Sequence, residues 1–171
     1  TIHCIQSIKR KAPKSIVYLL EQTPLRLDEI QLLLNNGVDM LVSFDTVCSS
    51  TKSNAEYYAL QEMVKRVQHT SIGWFIKMTP RYALRDTFSL SKVLYPMKIA
   101  TKISTPDMTW GEFAGDSIFY TVPRGLFSLY LTQMEHANDY IDHEHALSGL
   151  SKEHLVQVED VAAYNISMRV V

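Results

Sequence analysis

The chain has 171 residues, of which 46% are hydrophobic and 20% charged, with a formal net charge of −1 and a pI near 6.6. That length suits one large domain or two small ones. The near-neutral balance calls for neither nucleic acid nor an anionic membrane surface as a partner, and no apolar run approaches the roughly 18 residues of a membrane span.

Residues 2–11 read as a basic amphipathic helix. Ile2, Ile5 and Ile8 share one side, Lys9, Arg10 and Lys11 suit its C-terminus, and Pro13 stops it. Ser15–Leu20 (SIVYLL) is a short apolar run of the kind that forms a buried parallel strand. Leu27–Asn36 reads as a helix with a stripe of Leu27, Ile30, Leu33 and Leu34, and Gly37 stands where a helix C-cap wants glycine. Val38–Phe44 (VDMLVSF) is a second buried strand. This order predicts an α/β unit with parallel pairing. The polar seam 46–54 (TVCSSTKSN) reads as a lead-in to the next helix.

Ala55–Gln68 is predicted helical, with Tyr58, Leu60, Met63, Val64 and Val67 available for packing. Ile72–Met78 (IGWFIKM) is a third strand whose one charge is Lys77. Leu84–Met97 is predicted helical, on Leu84, Phe88, Val93 and Leu94. Residues 98–110 carry no clear pattern. Gly111–Leu131 reads as a β-hairpin: Ile118, Tyr120 and Val122 alternate on one arm, Leu126, Ser128 and Tyr130 on the other, and Pro123-Arg124-Gly125 makes the turn. Ala137–Leu147 is predicted to be a polar helix and Ala163–Val171 a terminal strand. Cys4 and Cys48 sit in no metal or redox spacing, so both thiols are expected to be structural and the protein cytoplasmic.

Several blocks together resemble the BcsE-type regulators of bacterial cellulose secretion. They are Ile2–Val42, Gly73–Leu90 and Gly115–Leu147, the last running from Gly115-Asp116 through an apolar strand, Arg124, a second apolar strand, Asn138-Asp139 and Ala146-Leu147. That family joins a degenerate receiver domain to a degenerate GGDEF (GIL) domain. The resemblance implies an α/β fold: a partial receiver-like unit over 1–54, a linker helix over 55–70, and a GGDEF-like α+β domain over 71–171. It also implies a non-catalytic regulator in exopolysaccharide secretion and biofilm formation. Such a protein binds cellulose-secretion proteins at the inner membrane through a partner, uses no cofactor, and takes cyclic-di-GMP as its ligand.

In that family an Arg-x-x-Asp motif at the hairpin entry binds the nucleotide. Its aspartate carries over to Asp116, preceded by Gly115, while Phe113 stands in the arginine position. An aromatic ring can stack on guanine but cannot supply the arginine fork. The receiver part contributes a second arginine, here Arg26 with Glu29 as acidic partner, and Arg85 flanks the next helix start with Arg81 and Asp86 as an outer guanine contact. The plain alternatives are a backbone-bonding turn for Asp116, helix-start charge for Arg26, Asp28 and Glu29, and a solvated turn for Arg124.

Cyclase chemistry is not expected. A cyclase needs a metal-binding aspartate on the 72–78 strand and acids in the hairpin turn. Here Lys77 is that strand's charge and the turn is Pro-Arg-Gly. Two other readings stand beside the regulator. One is a purely protein–protein module whose nucleotide site is lost, which Phe113 favours. The other is a small metal-dependent enzyme using His136, Asp139 and His143, which share a helical face at i, i+3 and i+7. A solvated helix face explains that triplet equally well, so no metal is assigned. Trp74 and Trp110 are expected in the core or at a subdomain interface.

Overall fold

The computed structural model describes residues 1–21, 24–43, 52–103, 115–135, 150, 152–158 and 161–164. In chain order the elements are α1 (Ile2–Lys11), β1 (Tyr18–Glu21), α2 (Leu27–Asn35), β2 (Met40–Ser43), α3 (Lys52–Val67), β3 (Trp74–Met78), β4 (Tyr82–Leu84), β5 (Ile99–Ile103), β6 (Gly115–Pro123), α4 (Phe127–Met134), β7 (Leu155–Val158) and β8 (Ala162–Tyr164). The fold is mixed α/β, and its contacts group the chain into two units.

The first unit comprises Thr1–Val47, Thr79–Leu90 and Asp160–Val171. β1 and β2 pair in parallel, Tyr18 opposite Met40, as the apolar runs predicted. Ile5, Val17, Leu19, Leu33 and Val38 form the core, with Ile2, Ile8, Leu25 and Leu41 packed around it. Each such side chain contributes about 1.5–3 kcal/mol when taken out of water. The α2 stripe is only partly used: Leu33 is buried, while Leu27 is 82% exposed.

The end of α2 is a Schellman turn. The Val38 N–H donates to the Leu33 carbonyl and the Gly37 N–H to that of Leu34. Gly37 adopts φ 102°, a left-handed conformation that favours glycine, and an added Cβ would stand 3.0 Å from Lys9 Cγ. The turn delivers Asp39 to β1. Its Oδ2 accepts from Lys9 Nζ and, at 2.7 Å, from the Val17 N–H. The Lys9 hydrogen bond, then the Val17 N–H, holds the Asp39 carboxyl below the usual aspartate range.

β4 and β8 form an antiparallel pair in this same unit. The buried Ser7 hydroxyl of α1 accepts from the Leu84 N–H at 3.0 Å and donates to the Cys4 carbonyl at 2.7 Å. These pairings group 79–90 and 160–171 with the N-terminal unit, a different division from the expected boundaries at 54 and 70. They also replace the helix predicted over Leu84–Met97. Leu84, Phe88 and Val93 are all buried, yet their spacing does not keep one helical face, and Asp86, Thr87, Ser89 and Ser91 compete for backbone bonds. The segment holds β4, turns and one 3₁₀ turn at Leu90–Lys92.

The second unit comprises Cys48–Met78 and Ser91–Glu159. Its sheet has the order β3-β6-β5-β7. β6 runs antiparallel to both β3 and β5, and β5 runs parallel to β7. β3, β5 and β7 therefore point the same way, and their carboxyl ends share one edge with the start of β6.

The expected hairpin is not formed. After β6, Arg124–Leu126 makes a 3₁₀ turn and Phe127–Met134 is helix. Leu126–Leu131 satisfies an alternating pattern, but Phe127, Tyr130 and Met134 stand at i, i+3 and i+7, and all three are buried. Helical spacing wins because it lays an aromatic face on the sheet. Phe75 packs against Tyr130 at 5.1 Å, Phe127 at 5.5 Å and Tyr120 at 6.3 Å between ring centroids.

α3 buries Ala59, Leu60, Met63, Val64 and Val67, whereas Tyr58 is exposed. Arg124 is exposed in its turn, as expected, and is also engaged. Its guanidinium donates to the carbonyls of Gln68, Thr70 and Ile72, closing the end of α3 onto β3. β5 occupies the start of 98–110. β8 takes up the start of the expected terminal strand. The helix predicted over 137–147, Trp110, Cys48 and residues 165–171 lie outside the described residues.

Candidate functional site

Arg26 and Glu29 come together, but at the start of α2. The Glu29 carboxylate accepts from the N–H of Arg26, the N-cap residue, at 2.8 Å, the acidic half of a capping box; the Arg26 guanidinium, which only donates, cannot return the bond. The Arg26 guanidinium lies 3.3 Å from Asp28 and 3.5 Å from Glu29. This is the helix-start arrangement that the acidic first turn allowed for. Arg85 belongs to another element, just past β4: its N–H donates to the Val161 carbonyl and its side chain is exposed.

Gly115 and Asp116 belong to the second unit, as the first residues of β6, with Gly115 opposite Ile103. Phe113 and the His136–His145 segment lie outside the described residues. Trp74 is 36% exposed at the sheet margin rather than central to a core.

A different group of polar side chains converges inside the second unit. Register sets Lys77 of β3 opposite Tyr120 of β6, Tyr120 opposite Thr101 of β5, and Thr101 opposite Gln157 of β7. Directly opposed residues share a sheet face, so these four side chains form one row across all four strands. It is the face that α4 covers. Tyr120 is fully buried, Thr101 is 2% exposed and Lys77 is 8% exposed, while Gln157 reaches solvent. The Tyr120 hydroxyl lies 2.8 Å from that of Tyr130 on α4. Lys77 Nζ lies 5.9 Å from the Tyr120 ring centroid, within cation–π range.

On the opposite face, the Thr121 hydroxyl donates to the Val93 carbonyl at 2.8 Å, fastening the segment that follows the 3₁₀ turn to the sheet. Lys77 is the one charged side chain in the buried class among the described residues. The sequence carried a signal for it, a lone lysine in an apolar strand. Its neighbours in the row were invisible, because they come from strands whose pairing only the fold reveals.

Cys4 is buried, and burial pushes its thiol up to about 11, which suits a structural role. Among the described residues no group of three or more His, Cys, Asp or Glu side chains gathers as metal ligands, and no helix is long and apolar enough to cross a membrane.

No family model and no curated protein sequence matches the chain. A solved structure, the crystal structure of a glycosyltransferase involved in the glycosylation of the major capsid of PBCV-1, shares its fold. The TM-score is 0.55 at 7% sequence identity, over 85% of this chain and 82% of that one.

Proposed function

We propose that this chain is a glycosyltransferase, moving a sugar from a nucleotide-activated donor to an acceptor hydroxyl. The observation that carries this reading is the fold likeness to a glycosyltransferase over most of both chains. Fold alone is an argument by analogy, and the second unit adds a physical one. Three of its four strands present their carboxyl ends at one edge, where open α/β sheets receive ligands. A buried lysine stands one residue from the end of β3 there.

The test is turnover. UDP-, GDP- and CMP-sugars, each with and without Mn²⁺, are incubated with the protein and the released nucleotide is measured. Release above the rate of the heat-denatured protein is expected with at least one donor. Baseline release from every donor, together with no binding of any, would contradict the reading.

A second reading is the non-catalytic, BcsE-like regulator of cellulose secretion, with receiver-like and GGDEF-like parts, protein partners and cyclic-di-GMP as ligand. The parallel β1–α2–β2 unit favours it. Against it, the segment expected to be the second hairpin arm is helix, and Arg26 and Glu29 are engaged in capping α2. Selective binding of cyclic-di-GMP over every sugar nucleotide would make it the better account.

A further inference from the structure

We propose that the amino edge of the second unit's sheet is a docking face for an anionic lipid bilayer. That edge holds the starts of β3 and β5 and the end of β6, with Trp74 opposite Pro123. The inference is independent of the sugar-transfer reading, which uses the opposite edge. Three large apolar side chains are exposed here: Met97 at 62%, Ile76 at 38% and Trp74 at 36%. Trp74 and Ile76 alternate onto one face of β3. It is the face on which the Thr121–Val93 hydrogen bond fastens the segment leading to β5. Met97 lies near the end of that segment, beside the turn after β6: a Cβ on Gly125 would stand 3.8 Å from its Sδ. In the same turn the Arg124 N–H donates to the Gly73 carbonyl at 2.8 Å, next to Trp74.

The charge around these side chains has one sign. The whole chain is nearly balanced, with 17 Lys and Arg against 18 Asp and Glu. The stretches that meet at this edge, 65–76, 92–98 and 119–128, carry Lys65, Arg66, Lys92, Lys98 and Arg124 and no carboxylate. Arg66 and Lys98 are exposed and enter no ion pair among the described residues. Arg124 donates to carbonyls, which leave its charge in place. Glu62, a turn earlier on α3, pairs with Lys65 at 3.1 Å, and Glu153 precedes the other edge strand, β7, beside Lys152 in the chain. Exposed tryptophan and methionine among cations is the composition of a surface that rests in a headgroup layer, with indole at the boundary and the cations on lipid phosphate.

The test is flotation of the protein with vesicles of phosphatidylcholine alone, and of phosphatidylcholine and phosphatidylserine in equal parts, at low and high salt. Wild type is expected to float with the mixed vesicles only, and to leave them at high salt. Arg66→Glu and Lys98→Glu are each expected to weaken binding about fivefold or more. Met97→Ser is expected to weaken it too, by removing an apolar contact. Lys14→Glu, an exposed charge reversal in the first unit, is expected to bind like wild type.

Equal flotation with both vesicle types, or none with either, would overturn the proposal. So would an equal loss in Lys14→Glu, since attraction would then follow net charge rather than this edge. Binding of soluble polyglutamate without flotation would assign the edge to an acidic protein and overturn it as well. A thermal midpoint for each variant shows that it folds. If one does not, the lipid dependence of the wild type and the remaining variants decide.

Discussion

The two units spend their charges differently. In the first, charged side chains sit at the margin and fix local geometry: Lys9 with Asp39, Arg26 with Asp28 and Glu29, Arg10 and Lys11 with Asp86. Its core cluster is wholly apolar. In the second unit a lysine, a threonine and two tyrosine hydroxyls lie under a helix, in the interior. Exposed pairs of the first kind contribute little, with a median of about 0–1 kcal/mol. Buried polar groups of the second kind must be satisfied, and they are where function is to be sought. The contrast moves attention away from Arg26 and Glu29, two of the residues that the sequence offers as ligand contacts.

The comparison breaks most visibly at Tyr130. Tyr130→Ala removes the ring that Phe75 and Tyr120 pack against, together with the hydroxyl bonded to that of Tyr120, and is expected to cost about 3 kcal/mol or more in chemical denaturation. Tyr130→Phe keeps the ring and is expected to cost about 1 kcal/mol. Equal losses for the two would mean that the hydroxyl pair, not the packing, holds α4.

A smaller effect is expected in the first unit from Gly37→Ala. The left-handed backbone and the approach to Lys9 both oppose a Cβ, so a loss of at least about 1 kcal/mol is expected by urea denaturation. An unchanged midpoint would mean that the Schellman turn does not hold β2 in place.

The smallest effect is the pH dependence of Asp39. Its native pKa is lowered, so its contribution is complete above the ordinary aspartate value of about 3.9 and is lost as pH falls through the lowered native value. The thermal midpoint of the wild type should therefore drop faster than that of Asp39→Asn on acidification. Parallel curves would show that the Lys9–Asp39–Val17 contact carries no stability.

Much of the architecture was legible in the sequence where local signals agreed. α1 followed the isoleucine stripe, Gly37 marked the end of α2, and the parallel β1–β2 pairing followed from two apolar runs around a helix. The reading failed where local patterns were ambiguous and tertiary packing decided. Leu126–Leu131 fits a strand and a helix, and aromatic packing on Phe75 selects the helix. Leu84–Met97 carries enough apolar residues for a helix, but Tyr82–Leu84 finds a strand partner at Ala162–Tyr164, far away in the chain.

None of the residues picked from the sequence as ligand contacts belongs to the polar row. Lys77 was read only as the charge that stands where a cyclase needs an aspartate, and Tyr120, Thr101 and Gln157 join it through non-local register. Arg124 is the exposed turn residue expected, but its hydrogen bonds were illegible for the same reason: its acceptors are carbonyls just past the end of α3.

The most direct test of the contrast between the units is amide hydrogen exchange of the wild type with a bound sugar nucleotide, and separately with cyclic-di-GMP. The account predicts that the sugar nucleotide slows exchange in Trp74–Met78 and Ile99–Ile103 and leaves Leu27–Asn35 unchanged. Protection confined to the start of α2, or protection by cyclic-di-GMP alone, would contradict it.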